Sequence, residues 1–200
     1  MWTLEEIELP YRLHVLAFPP RAKQREYLTI NPLGTIPYLI GDAQGGDVRM
    51  TESTAICFYL ATRHGPTPLT LGPDEPDYPA FLNWLFFSDA TLTFPQTIVL
   101  RYRQLEPPER RLSQAADDYE KWFFGRLKAV ETALADRTWL CGDRFSIADI
   151  AVLYALHLAD GVVGLGHGFG PNARRYLAAA RARPGYMRAV EADASAPAWR

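Results

Sequence analysis

Hydrophobic and polar positions follow two regimes along the chain. Up to about residue 65, short apolar alternations are broken by turn residues, whereas beyond residue 80 nearly every segment repeats with a helical period. Residues 1–9 read as the tail of a helix, with Trp2, Leu4 and Ile7 on one face and Glu5, Glu6 and Glu8 outward. Residues 10–18 alternate as a strand, Leu13 and Val15 sharing a face, and Pro19-Pro20 ends it. Residues 21–30 are polar and helix-compatible, with Tyr27 and Ile30 three apart. Residues 38–40 and 48–50 pair as a hairpin around a loop, 41–47, rich in residues that tolerate positive φ. Ala55, Ile56, Tyr59 and Leu60 give a helix face that stops near Gly65-Pro66.

Residues 65–79 hold five prolines and two glycines without apolar periodicity, which marks a linker. The chain thus divides into a mixed α/β part, 1–65, a linker, 66–79, and an all-helical part, 80–200. Residues 81–103 form a long helix that Pro95 should bend, and its apolar residues run nearly all round. Pro107-Pro108 opens the next helix, which continues through Tyr119, Trp122, Phe123 and Leu134. A helix apolar on most faces is normally buried, so bundle core accounts for most of these aromatics. The rest are available to a ligand pocket or a subunit interface. Ser146-Ile147-Ala148-Asp149 is a capping box in its Asp form, with Phe145 and Ile150 placed as a hydrophobic staple. Five glycines within 161–170 follow a helix rather than a strand, which argues for a mobile loop and against a dinucleotide fingerprint. Two short helices, about 172–183 and 184–193, precede an Ala/Pro-rich tail.

Two stretches stand apart. Asn31 to Ile40 is a turn feeding a short strand with Pro37 at its start, and Met50 to Ile56 begins a helix with Thr51, Glu52 and Ser53 clustered at its end. Together they describe a strand edge facing a helix N-terminus, a place to hold a small peptide-like anion.

Composition narrows the partners. A formal charge of -2 makes nucleic acid an unsuitable main partner, and no apolar run reaches the length of a membrane span. The start of the chain carries acid where a signal peptide would be basic, so a cytoplasmic location is expected. Cys57 and Cys141 cannot build a disulfide framework, Cys57 reads as a buried structural thiol, and the four histidines are too scattered to pair. No metal is implied.

Asn31-Pro32-Leu33-Gly34-Thr35-Ile36-Pro37, then Glu52-Ser53-Thr54-Ala55-Ile56, then Phe145-Ser146-Ile147-Ala148-Asp149-Ile150 resembles the cytosolic glutathione transferases, in a bacterial-type, N-terminally short form. Residues 2–6 and Leu9-Pro10-Tyr11 fit the end of that family's first helix. The resemblance implies an α+β, thioredoxin-like N-terminal domain, here without its first strand and the start of its first helix, and an all-α C-terminal domain. It implies a homodimer, glutathione as cosubstrate, transfer of its thiol to a small hydrophobic electrophile or reduction of a peroxide, and a role in detoxification. Carried onto this chain, Ile36, at a cis bond to Pro37, pairs with the cysteinyl backbone. Ser53 receives the γ-glutamyl carboxylate at its helix start, and Glu52 holds the γ-glutamyl ammonium. The electrophile site is expected between the domains, walled by the long helix around Phe87, Thr91, Phe94 and Tyr102. Asp89 is left between a ligand contact across the dimer and a salt bridge.

The catalytic residue is unknown from the sequence. In the family a Ser, Tyr or Cys just after the first strand stabilises the thiolate, and in this numbering it would precede Met1. Thr3 lies too late in the helix to replace it. Without the first strand, backbone groups near 13–16 and 38–40 lack partners, which points to a start upstream, a sheet that closes up, or a partner segment in the slot, the first being preferred. The competing reading is a non-catalytic module that binds glutathione or hydrophobic ligands or serves in dimerisation.

Overall fold

The computed structural model describes residues 1–43 and 46–196, which form two compact units: Met1–Thr67 with the residues from Pro184 on, and Pro68–Arg183. The last four residues of the expected tail lie outside the described residues.

In the first unit, α1 (Trp2–Glu6) turns Leu4 onto Ile56 and Leu60 of α3 (Ser53–Arg63), and Ile7, Leu9, Leu39 and Met50 pack around that cluster. After α2 (Pro20–Lys23) and a 3-10 turn, Arg25–Thr29, the chain enters the expected hairpin, β1 (Leu39–Ala43) against β2 (Gly46–Met50). The ladder runs antiparallel from Leu39 opposite Met50 to Ala43 opposite Gly46. It therefore takes in Gly41, Asp42, Ala43, Gly46 and Asp47, which the sequence assigns to the loop. Their turn-forming composition matters less than the pairing each gains by extending a ladder already begun. Residues 10–18 depart further from expectation. Leu13 and Val15 are half-buried while Arg12 and His14 are exposed, so the alternation holds, but only Val15 makes a bridge pairing. Among the described residues the sheet has two strands, and a run that pairs at a single residue does not extend into a ladder.

The last helix, α9 (Pro184–Ser195), belongs to this unit and lies on α1. The Trp2 and Tyr186 rings meet edge to face at 5.1 Å, and Arg188 donates to a Glu5 carboxylate oxygen at 2.9 Å. Glu5 also accepts from the Tyr11 hydroxyl at 2.7 Å. Burial and the Glu5 contact push the Tyr11 hydroxyl up to about 12.

The second unit is helical. Its first residues are packed rather than loose: Leu69 and Leu71 are buried, and Arg144 donates to the Thr70 carbonyl at 3.0 Å and to Glu75 at 2.8 Å. The long helix is α4 (Tyr78–Phe87) and α5 (Phe94–Leu100) joined by a π turn, Ser88–Thr93. Pro95 cannot donate to the Thr91 carbonyl, and the wider turn just before it takes up the disruption. The next helix, α6 (Ser113–Ala133), starts later than expected, because Pro108–Arg110 forms a separate 3-10 turn. Phe81 and Phe123 are core as expected, but Phe86, Phe94 and Trp122 are exposed. Phe94, Tyr119 and Trp122 form a surface cluster, Phe94 lying 5.9 Å from Tyr119 and Tyr119 5.0 Å from Trp122.

The capping box at the head of α7 (Ile147–Leu158) forms as read, with Phe145 and Ile150 both buried. The glycine-rich stretch is a compact connection, a π turn, Ala159–Val163, and a 3-10 turn, Gly166–Gly168, leading to α8 (Pro171–Arg181). A Cβ on Gly168 would stand 2.3 Å from the Phe124 ring, and one on Gly170 2.5 Å from the Glu131 carboxylate. That carboxylate accepts from the Asn172 and Ala173 amides at the start of α8, at 3.1 and 2.9 Å. These glycines clear space for side chains of the same unit, not for a phosphate.

Cys141 is fully buried, and burial together with the Asp149 charge pushes its thiol up to about 11. Sealed from reagent and held protonated, it should react with a disulfide reagent at least about tenfold more slowly in the native protein than after denaturation. Stopped-flow labelling counts the two thiols; equal native and denatured rates at this site would contradict the buried assignment.

Candidate functional site

The hairpin decides what the two candidate stretches can do together. Because Leu39 faces Met50, Ile36-Pro37 runs into the ladder at the end where Glu52-Ser53 leaves it. Both pairs belong to the first unit and lie two or three residues beyond the last rung. The Ile36–Pro37 bond is cis, and Ile36 is 41% exposed. Neither the N–H nor the C=O of Ile36 is bonded among the described residues.

Glu52 is the N-cap of α3, its carbonyl accepting from Ile56 at 2.8 Å. Its carboxylate is exposed and accepts from the Thr51 hydroxyl at 3.2 Å. Ser53 follows as the first helical residue and is half-buried. An acidic side chain, a hydroxyl and the first amides of an 11-residue helix thus stand at the same end of the hairpin as the exposed, unbonded backbone of Ile36. Such a place offers donors to a carboxylate, an acceptor to an ammonium, and a free backbone N–H and C=O to a short peptide.

Behind Ile36 stand two side chains that the sequence does not single out as functional. Tyr27 and Asn31 are 4% and 2% exposed, and both reach the Thr35 carbonyl: the Tyr27 hydroxyl donates at 2.8 Å and the Asn31 amide at 2.9 Å. The Asn31 side-chain oxygen accepts from the Leu33 N–H at 3.1 Å, the Gly34 N–H bonds the Asn31 carbonyl at 2.9 Å, and Gly34 takes φ 63°. An Asn followed by Pro and, three residues on, Gly signals this turn, since Asn bonds its own backbone two residues later. Nothing local to Tyr27 announces a partner eight residues away.

Thr3 is closed off. It is 3% exposed, and its hydroxyl donates to the Cys57 sulfur at 3.1 Å. Cys57 is half-buried rather than sealed in the core. Among the described residues no group of three or more His, Cys, Asp or Glu is arranged to hold a metal, and no helix is long and apolar enough to cross a membrane.

Residues 1–63 match the family model described as glutathione S-transferase, N-terminal domain, and 110–179 match glutathione S-transferase, C-terminal domain. Glutathione S-transferase hmp2 of Hypomyces subiculosus is 32% identical over 204 residues, covering 94% of this chain and 90% of that protein. A glutathione transferase from Burkholderia graminis, solved with two glutathione molecules bound per subunit, superposes with a TM-score of 0.81 at 28% identity, covering 95% of this chain and 81% of that one. Ure2p5 of Phanerochaete chrysosporium, cocrystallised with 1-(S-glutathionyl)-2,4-dinitrobenzene, gives 0.78 at 25% identity, covering 96% and 89%. With both halves of the chain matched and the hairpin and capping box in place, this chain belongs to the glutathione S-transferase family, a thioredoxin-like N-terminal domain followed by a helical C-terminal one.

Proposed function

We propose that this protein binds glutathione across Ile36, Pro37, Glu52 and Ser53 and transfers its thiol to a hydrophobic electrophile. The observation that carries this reading is the hairpin register, which brings both residue pairs to one end of the sheet. The Ile36 N–H and C=O pair with the cysteinyl unit as a strand edge pairs with a peptide. Ser53 donates to the γ-glutamyl carboxylate at the head of α3, where the helix dipole adds about 0.3–1 kcal/mol. Glu52 holds the γ-glutamyl ammonium. In the reaction the cysteinyl thiol loses its proton to solvent, the sulfur forms a bond to the electrophilic carbon, and the leaving group departs with the bonding pair. The group that stabilises the thiolate is not assigned.

Residues 1–65 are proposed to bind glutathione and 66–79 to join them to the helical part that begins at residue 80, from which α9 is set apart by its place in the first unit. A cytoplasmic homodimer is part of the proposal and rests on the family resemblance. The cocrystallised conjugate of Ure2p5 supports an aryl electrophile as the first substrate to try.

Calorimetry with glutathione and a spectrophotometric assay with 1-chloro-2,4-dinitrobenzene test the reading. Saturable binding with turnover dependent on both substrates is expected. Binding without turnover, on aryl halides and hydroperoxides alike, would favour the non-catalytic module, and no binding at millimolar glutathione would overturn the proposal.

A further inference from the structure

The Thr35 carbonyl and the Ile36 N–H belong to one trans peptide plane, so fixing the direction of the first fixes the opposite direction of the second. Two buried donors hold that carbonyl. The Tyr27 hydroxyl lies at 2.8 Å and the Asn31 amide nitrogen at 2.9 Å, and the same nitrogen lies 3.3 Å from the Tyr27 oxygen and 3.3 Å from the Thr35 hydroxyl. Neither donor swings freely. The Asn31 side-chain oxygen is tied to the Leu33 amide at 3.1 Å, and the Tyr27 ring meets Tyr38 edge to face at 6.4 Å.

A turn needs no such construction merely to reverse the chain. Asn31 already closes it through the Leu33 and Gly34 amides, and the added phenol acts on one carbonyl eight residues away. What the pair controls is the tilt of a peptide whose N–H is bonded to no other described residue. A flip of that plane would turn a carbonyl outward and remove the donor without changing the fold.

We propose that Tyr27 and Asn31 are positioning residues that lock the Thr35–Ile36 peptide with its N–H outward, so that Ile36 donates to the cysteinyl carbonyl of the bound tripeptide. The inference rests on the glutathione reading above and specifies which ligand atom the clamp serves. Neither side chain touches the ligand; both act through the peptide plane. Discrimination follows: a ligand with an acceptor at that carbonyl benefits from the clamp, and one without it does not.

The test is a cycle of two proteins against two ligands. Titration calorimetry compares wild type and Tyr27→Phe for glutathione and for an alkene isostere in which the cysteinyl–glycine amide carries no carbonyl. Losing one orienting hydrogen bond should weaken glutathione about fivefold, with the isostere changed by less than about twofold. Asn31→Ala should do the same more strongly, provided its thermal midpoint shows it folded; Tyr27→Phe, which keeps the ring, stands alone if it does not. Equal weakening of both ligands would reduce the clamp to a structural role and overturn the inference while leaving glutathione recognition intact. Wild type binding neither ligand would overturn both.

Discussion

Asp149→Ala is expected to lower the unfolding free energy by about 3–5 kcal/mol, a large part of the roughly 5–15 kcal/mol that holds a domain folded. The carboxylate is fully buried at the head of α7 and accepts from four donors. One oxygen takes the Leu140 N–H at 2.9 Å and the Tyr176 hydroxyl at 2.7 Å; the other takes the Ser146 N–H at 2.8 Å and its hydroxyl at 3.0 Å. Alanine would leave buried donors unpaired at once, each costing about 1–3 kcal/mol, partly relieved by entering water. It would also open a cavity beside Tyr176. Urea denaturation followed by tryptophan fluorescence reads the loss. Asp149→Asn, which keeps one acceptor but sets an amide against a donor, should fall between. A loss below about 1 kcal/mol for Asp149→Ala would mean that the hub is dispensable.

Glu52→Ala should weaken glutathione binding about 10- to 100-fold, because it removes the acceptor proposed for the γ-glutamyl ammonium and a bond to a charged group contributes about 1.5–3 kcal/mol. Ser53→Ala removes a hydroxyl but leaves the backbone amide and the helix terminus, so about three- to tenfold is expected. Glu52 is exposed, and added salt should narrow its effect. The decisive ligand is the deamino analogue of glutathione, which lacks the ammonium. Calorimetry should give it nearly equal affinities for wild type and Glu52→Ala; an equal loss on both ligands would assign Glu52 to capping α3 and remove it from the site.

Legibility in the sequence follows the range of the interaction. The capping box reads directly because Ser146 and Asp149 are three residues apart and the reciprocal bonds depend on local helix geometry. Glu131 on α6, which caps α8 by accepting from the Asn172 amide 41 residues away, leaves no such trace. Residues 10–18 show the converse, alternation without a ladder, because side-chain pattern records which face is buried and pairing depends on a neighbour. Exposure of Phe86, Phe94 and Trp122 was equally unreadable, since a helix apolar all round does not tell which faces its neighbours cover. Ile36, Pro37, Glu52 and Ser53 could be nominated from motif resemblance. Tyr27 could not, because its hydroxyl acts on a carbonyl eight residues on through a turn that must form first.

The helical second half, the hairpin, the capping box of α7 and the family are all legible in the amino-acid sequence, because each depends on short-range periodicity or on motifs at fixed spacing. The folded chain adds the exact register of that hairpin, with Leu39 opposite Met50 and the ladder running on to Ala43 and Gly46, the hold of Tyr27 and Asn31 on the Thr35 carbonyl, and the packing of α9 on α1. The physical reason is that periodicity and local hydrogen bonds specify elements, whereas register and packing between distant elements arise only when the whole chain satisfies its buried groups together.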